Sequence, residues 1–241
     1  MAAERIDKIL SSQNIASRSG VKALIKAGKI FANGQLVKRP EEKYDPTATQ
    51  FTVDGQPVTV QQYHYIMLNK PQGILSASRD QHAPTVIDLL PEEWKRRDLF
   101  PAGRLDKDTE GFILLTNDGE LSHKMLSPKS HVYKLYEVCC DRKLTQEDVQ
   151  SFAEGIHSGE QVFLPAEMKI TGEYTALVEI CEGKFHQIKR MFQTIGAQVV
   201  HLKRLKIGGV WLDKNLSSGA ARPLTESEIT ALLDRKHGIE S

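Results

Sequence analysis

The chain has 241 residues, 40% of them apolar and 26% charged, which is the composition of an ordinary folded domain or pair of domains and not of a disordered or fibrous protein. No run approaches the length of apolar residues a membrane-spanning helix needs, and Met1 to Leu10 carries Glu4 and Asp7 with no apolar stretch, so neither a membrane span nor a signal peptide is expected. The net charge of +1 hides a segregation: residues 1–43 hold +5 and residues 184–206 hold +6, against −10 for the remainder, which predicts local contact with a polyanion.

In chain order, Ile6, Ile9 and Leu10 fall at i, i+3 and i+4 and predict a short first helix. Ser17 or Ser19 can cap a second helix, where Val21, Leu24 and Ile25 repeat the pattern, and Gly28 ends it. Asn33-Gly34 predicts a hairpin between residues 29–32 and 35–37, and Asp54-Gly55 a second between 51–53 and 57–60. Beyond Tyr63, strands are predicted at 65–68, 112–116, 132–140, 175–181 and 199–202, and helices at 146–153 and 186–195. Asp118-Gly119 reads as a tight turn after the second of these strands. Helices and strands do not alternate strictly, so the expected fold class is α+β. A small N-terminal domain of two helices plus β-hairpins is expected at 1–60. A larger domain with a mixed, mainly antiparallel sheet is expected at 62–241. Cys139, Cys140 and Cys181 cannot all pair and lack metal-ligand spacing, which predicts reduced thiols in a cytoplasmic protein and no metal site.

The charged loop Gly103-Arg104-Leu105-Asp106-Lys107-Asp108-Thr109-Glu110-Gly111 leads into the apolar run Phe112 to Thr116. A loop held at the mouth of a buried strand is a common place for catalytic carboxylates, although loops are commonly polar for no other reason than solvent. Asp106, Asp108 and Glu110 imitate the start of a calcium loop, but Asn117 stands where the bidentate Glu is required and a strand replaces the exiting helix. A glycosidase pair would need carboxylates facing each other across a bond, which one short loop does not provide.

The stretch Gly103 to Gly119 resembles the signature of the small-subunit type of ribosomal pseudouridine synthases, which implies that Asp106 is the catalytic carboxylate. Asn69-Lys70-Pro71-Gln72-Gly73 resembles a further segment of that family. In Glu182-Gly183-Lys184-Phe185-His186-Gln187-Ile188-Lys189-Arg190-Met191-Phe192, the basic residue after His-Gln-Ile pairs with the aspartate in the family; here it is Lys189, where many relatives have Arg. Lys134-Leu135-Tyr136 resembles the family's Lys-x-Tyr strand, which implies that Tyr136 stacks on the target base and moves the C5 proton. Arg104 is implied to fill the hole left by the flipped base or to grip a phosphate. Arg190 and Gln187 read as RNA contacts or a solvated face, and His186 as an ordered polar partner. Phe185, Ile188 and Phe192 share a helical face and are expected in the core. Leu205 to Val210 resembles the family's closing segment, with Gly208-Gly209 allowing close backbone packing near the pocket.

The first sixty residues resemble the S4 RNA-binding domain, carried by Arg5-Ile6-Asp7-Lys8-Ile9-Leu10, Ser17-Arg18-Ser19, Ile25 to Ile30 and Asn33-Gly34. The resemblance implies phosphate contacts from Arg18, Lys22, Lys26 and Lys29, which position RNA without reading bases. Together these resemblances imply an enzyme that isomerises one uridine of small-subunit (16S) ribosomal RNA, with a large-subunit (23S) site as the alternative. The expected partner is ribosomal RNA or a pre-ribosomal small-subunit particle; no membrane partner is expected, and the protein is expected to be a monomer. The reaction loses no group and changes no oxidation state, so no cofactor is expected. Its carboxylate must stay ionised in a nearly dry pocket, which calls for an adjacent cation. A non-catalytic ribosome-assembly factor would predict the loss of Asp106, Tyr136 or Lys189, and all three are present.

Overall fold

The computed structural model describes residues 3–95, 98–235 and 237–239. The ends of the two expected domains, residues 1–2 and 240–241, lie outside them. The chain forms two compact units: Met1–His64 with Pro91–Asp98, and Tyr65–Leu90 with Leu99–Ser241. The segment Pro91–Asp98 therefore clusters with the first unit, where the Asn14 amide donates to the Glu93 carbonyl at 3.0 Å.

The first unit runs β1 (Glu4–Arg5), α1 (Ile6–Ser12), α2 (Arg18–Lys26), β2 (Ile30–Ala32), β3 (Gln35–Leu36), β4 (Lys43–Tyr44), β5 (Phe51–Val53) and β6 (Gln56–Val58). Ser17 caps α2 by accepting from the Gly20 amide at 3.1 Å. Both expected hairpins form, β2–β3 and β5–β6. Their turn residues all have positive φ (49° and 77° at Asn33 and Gly34, 54° and 77° at Asp54 and Gly55), as a two-residue turn matched to strand twist requires. Ile6, Ile9, Leu10, Val21, Ile25, Ile30 and Phe51 make the core of this unit.

The second unit contains β7 (Tyr65–Lys70), β8 (Phe100–Pro101), β9 (Glu110–Thr116), α3 (Gly119–Leu126), β10 (Lys134–Cys140), α4 (Gln146–Glu154), β11 (Ile156–Ser158) and β12 (Gln161–Phe163). It continues through β13 (Glu167–Gly172), β14 (Thr175–Ile180), α5 (Gln187–Thr194), β15 (Val199–Ile207), β16 (Val210–Trp211), β17 (Ala221–Pro223) and α6 (Glu226–Ala231). One sheet has the order β13-β14-β10-β15-β9-β7-β17, with β8 added on β9 and β16 on β15. Its pairings are antiparallel except β9 with β15, so the sheet is mixed and mainly antiparallel.

Residues Phe112 to Thr116 are completely buried, as a central strand covered on both faces must be. Phe112 and Leu114 pack with Met67, Met125, Val132, Ile207 and Leu232. Asp118-Gly119 is a helix start rather than a tight turn: Asp118 caps α3 by accepting from the Leu121 amide at 2.9 Å, and Tyr65 donates to its other oxygen at 2.7 Å. Gly208 also departs from expectation. A Cβ there would lie 2.3 Å from the Leu232 carbonyl oxygen, so its close approach is to the residue after α6 and not to the pocket. No helix among the described residues is long and apolar enough to cross a membrane.

Candidate active site

The loop 103–109 is held by its backbone. Lys70 ends β7 completely buried, and its ammonium donates to the carbonyls of Thr109 (2.8 Å), Asp106 (3.1 Å), Pro71 (3.1 Å) and Lys107 (3.3 Å). Burial pushes its pKa down to about 8, against the pull of Asp108, Asp106 and Glu110. The four carbonyl dipoles add to that pull and favour the charged form. Ser76 bonds both backbone groups of Leu105, at 2.7 and 3.0 Å. Asp106 thus projects from a loop whose path is fixed on each side of it.

The Lys189 ammonium, on the first turn of α5, stands 3.1 Å from Asp106 Oδ2 and 2.6 Å from Asp108 Oδ1. Burial lowers the Lys189 pKa, but Asp108 and Asp106 together outweigh it and hold it above the usual lysine value. The hydrogen bond from Lys189 in turn holds the Asp108 carboxyl below its ordinary range. His186 Nε2 lies 3.4 Å from Asp106 Oδ1, so this residue is a polar neighbour of the aspartate.

Tyr136 lies at a bulge where β10 slips register against β15, a device that re-aims side chains beside functional sites. Its hydroxyl accepts from Arg204 at 3.4 Å, and that guanidinium lies 5.9 Å from its ring. Arg204 is buried, donates to the Phe112 carbonyl at 2.7 Å, and leaves one terminal nitrogen without a partner. Lys134, on the same strand as Tyr136, is also buried, and burial pushes its pKa down to about 8. Arg104, Asp106, Thr109, Tyr136, His186 and Lys189 line one pocket of about 70 Å³. Asp106, His186 and Lys189 also line an open groove with Gln72, Gly73 and Lys107.

The structure thus brings Asp106, Tyr136, Lys189 and Arg104 to one pocket. Arg190 is engaged elsewhere: it bonds Gln161, donates to the Ser158 carbonyl at 3.1 Å and covers the Phe163 ring, bracing the β11–β12 hairpin. Gln187 is buried against Glu182 and is no solvated face. Ile188 and Phe192 are core, but Phe185 precedes the helix and is exposed. The second basic segment is not one open patch, because Arg204 is internal and Lys189 is ion-paired. In the first unit Arg18, Lys22 and Lys26 are exposed along α2 at intervals of four, while Lys29 pairs with Asp54 at 2.9 Å.

Lys70, Arg204 and Asp108 are residues to which the sequence reading gave no role in this site. Arg204 had a faint signal, since it follows buried Leu202 by two positions on a strand and so shares its face. Lys70 stands in the segment Asn69 to Gly73 that resembles the family, but nothing local gave its role, because three of its four carbonyl partners lie some forty residues away.

The chain matches the family model described as RNA pseudouridylate synthase over residues 64–194 and the S4 domain model over residues 4–49. It is 46% identical over 233 residues to an uncharacterized RNA pseudouridine synthase of Bacillus subtilis (strain 168), covering 95% of this chain and 98% of that one. It is 37% identical over 234 residues to ribosomal small subunit pseudouridine synthase A of Escherichia coli (strain K12), covering 95% and 100%. Among solved structures, a crystal structure of pseudouridylate synthase superimposes with a TM-score of 0.67 at 36% identity, covering 95% of this chain and 99% of that one.

Proposed function

The chain belongs to the RNA pseudouridylate synthase family and carries an S4 domain, and from that premise we propose that it isomerises one uridine of small-subunit ribosomal RNA with Asp106 as the catalytic carboxylate. The observation that carries the assignment is the Lys189 ammonium 3.1 Å from Asp106 Oδ2, in a pocket that Tyr136 also lines. Isomerisation breaks the N1–C1′ bond, turns the base and joins C5 to C1′. A carboxylate that attacks C1′ or C6, or takes a proton from the sugar, must be ionised, and an opposite charge at this distance favours that form.

The target base must leave its stack to be reached. Tyr136 offers an aromatic face and a hydroxyl fixed by Arg204, which suits it to hold the turned base and to move the C5 proton. Arg104, exposed at the pocket's edge, has a planar guanidinium suited to stacking or to phosphate. Arg18, Lys22 and Lys26 would position the RNA backbone. The relative from Escherichia coli, named for the small ribosomal subunit, supports that choice of RNA. The proposed setting is a cytoplasmic monomer acting on ribosomal RNA or a pre-ribosomal small-subunit particle.

Mapping pseudouridines in ribosomal RNA from cells lacking the protein tests this reading. One small-subunit position should lose its modification and regain it with the wild-type gene but not with Asp106→Asn. Loss at a large-subunit position instead would move the substrate, and no loss at all would overturn the assignment.

A further inference from the structure

Phe185 is 68% exposed, more than any other large apolar side chain among the described residues. Such exposure beside a charged pocket needs a reason, since a phenyl ring in water forgoes burial that stabilises by about 1.5–3 kcal/mol. Its neighbour His186 has a left-handed backbone (φ 50°), an unfavourable conformation for a residue with a Cβ. His186 is the N-cap of α5, yet its side chain makes no capping bond. The imidazole is instead held between two groups. Nε2 stands 3.4 Å from Asp106 Oδ1, and the ring stacks on Phe185 with centroids 3.8 Å apart and planes 19° from parallel. Carboxylate, imidazole and phenyl thus form a row from the pocket to solvent.

We propose that Phe185 is a stacking platform for a nucleobase of the RNA strand next to the target uridine. This rests on the reading that the Asp106 site acts on uridine in RNA. When the target base leaves its stack, its neighbours lose a partner. A phenyl ring already backed by His186 offers a replacement, so the order becomes base, Phe185, His186. Arg104 and Lys107 line the recesses around Asp106 and provide cations for the flanking phosphates. A ring without polar atoms tolerates any base, so the platform supplies affinity and placement, with no reading of sequence.

The test uses the full-length protein and ribosomal RNA purified from cells lacking it, with initial rates of pseudouridine formation measured against RNA concentration. Phe185→Ala should raise KM about tenfold, which corresponds to about 1.4 kcal/mol and lies within the range of one base–aromatic stack. It should leave kcat within about twofold, and it should leave Tm within about 2 °C and the salt dependence of binding unchanged, because the side chain is mostly exposed and carries no charge. Phe185→Tyr should restore KM, and Phe185→Leu, which keeps apolar area but has no π face, should not. Unchanged KM in Phe185→Ala beside an active wild type would overturn the platform, and so would rescue by Phe185→Leu, which would mark a plain apolar contact. A wild type inactive both on ribosomal RNA and on small-subunit assembly particles from those cells would overturn the underlying reading of the site, and the platform with it.

Discussion

Lys189 stands between two carboxylates, and how its contacts are shared decides what its removal does. The shorter contact is to Asp108, at 2.6 Å, and the longer to Asp106, at 3.1 Å. Lys189→Met leaves Asp106 and Asp108 in one loop without their nearest cation. Activity at pH 7 should fall about 10²-fold, the scale of losing one charge-stabilising group. Asp108, which the hydrogen bond from Lys189 holds below the ordinary carboxyl range, should titrate at higher pH once that bond is gone. Lys189→Arg keeps the charge and should retain part of the rate. A Met variant with wild-type turnover would remove Lys189 from the mechanism. Asp106→Asn should keep the fold and the RNA affinity while turnover falls by about 10³ or more. Asp108→Asn, on a largely exposed side chain, should stay within about fivefold of wild type because it leaves Lys189 to Asp106. Single-turnover assays on the Asp106→Asn and Asp108→Asn variants separate the two aspartates. If the Asp108 variant is the dead one, the catalytic assignment belongs to Asp108.

The elements that sequence makes legible are those whose signal is local. Asn33-Gly34 and Asp54-Gly55 specify their turns by backbone preference alone, and Phe112–Thr116 declares a covered strand by having no polar face. Asp118-Gly119 shows where local chemistry is ambiguous, because an aspartate that can open a turn can equally cap a helix, and Tyr65 from another strand helps to fix it. β16 and β17 exist only through their partners and are too short to carry a period of their own. The candidate site divides in the same way. Asp106, Tyr136 and Lys189 stand in motifs, whereas Lys70 and Arg204 act through carbonyls and rings that only the folded sheet brings near. The parallel junction of β9 and β15 shows how tight that assembly is: a Cβ on Gly111 would lie 2.2 Å from the Arg204 carbonyl oxygen, at a φ of +99°. Gly111→Ala must push backbone apart beside both Asp106 and Arg204. It should cost about 3 kcal/mol or more. Gly34→Ala, at φ +77° with open space around it, should cost only about 1 kcal/mol. Urea melts of the two variants check the contrast, and equal midpoints would mean that the junction yields easily.

At the scale of the whole molecule, the two basic segments of the sequence have different fates. The one at 184–206 is put to work within the catalytic unit, where Lys189 is ion-paired to an acidic loop and buried Arg204 bonds a tyrosine. The one on α2 stays in water, on a helix of the S4 domain whose buried face, Val21 and Ile25, belongs to that unit's own core. Exposed cations that neutralise phosphates release counterions, so they set the salt dependence of RNA binding and leave the chemical step alone. The triple variant Arg18→Ala, Lys22→Ala, Lys26→Ala should therefore bind ribosomal RNA more weakly at low salt. Its plot of log affinity against log salt should be shallower by about 2–3, near 0.7–0.9 for each phosphate no longer neutralised. Its kcat at saturating RNA should stay near wild type. Lys29→Ala should change the slope less than any one of the three, because Asp54 already neutralises that ammonium. Filter-binding isotherms at several salt concentrations measure both effects. An unchanged slope in the triple variant would show that the α2 cations face only solvent, and the affinity for RNA would then have to come from the catalytic unit.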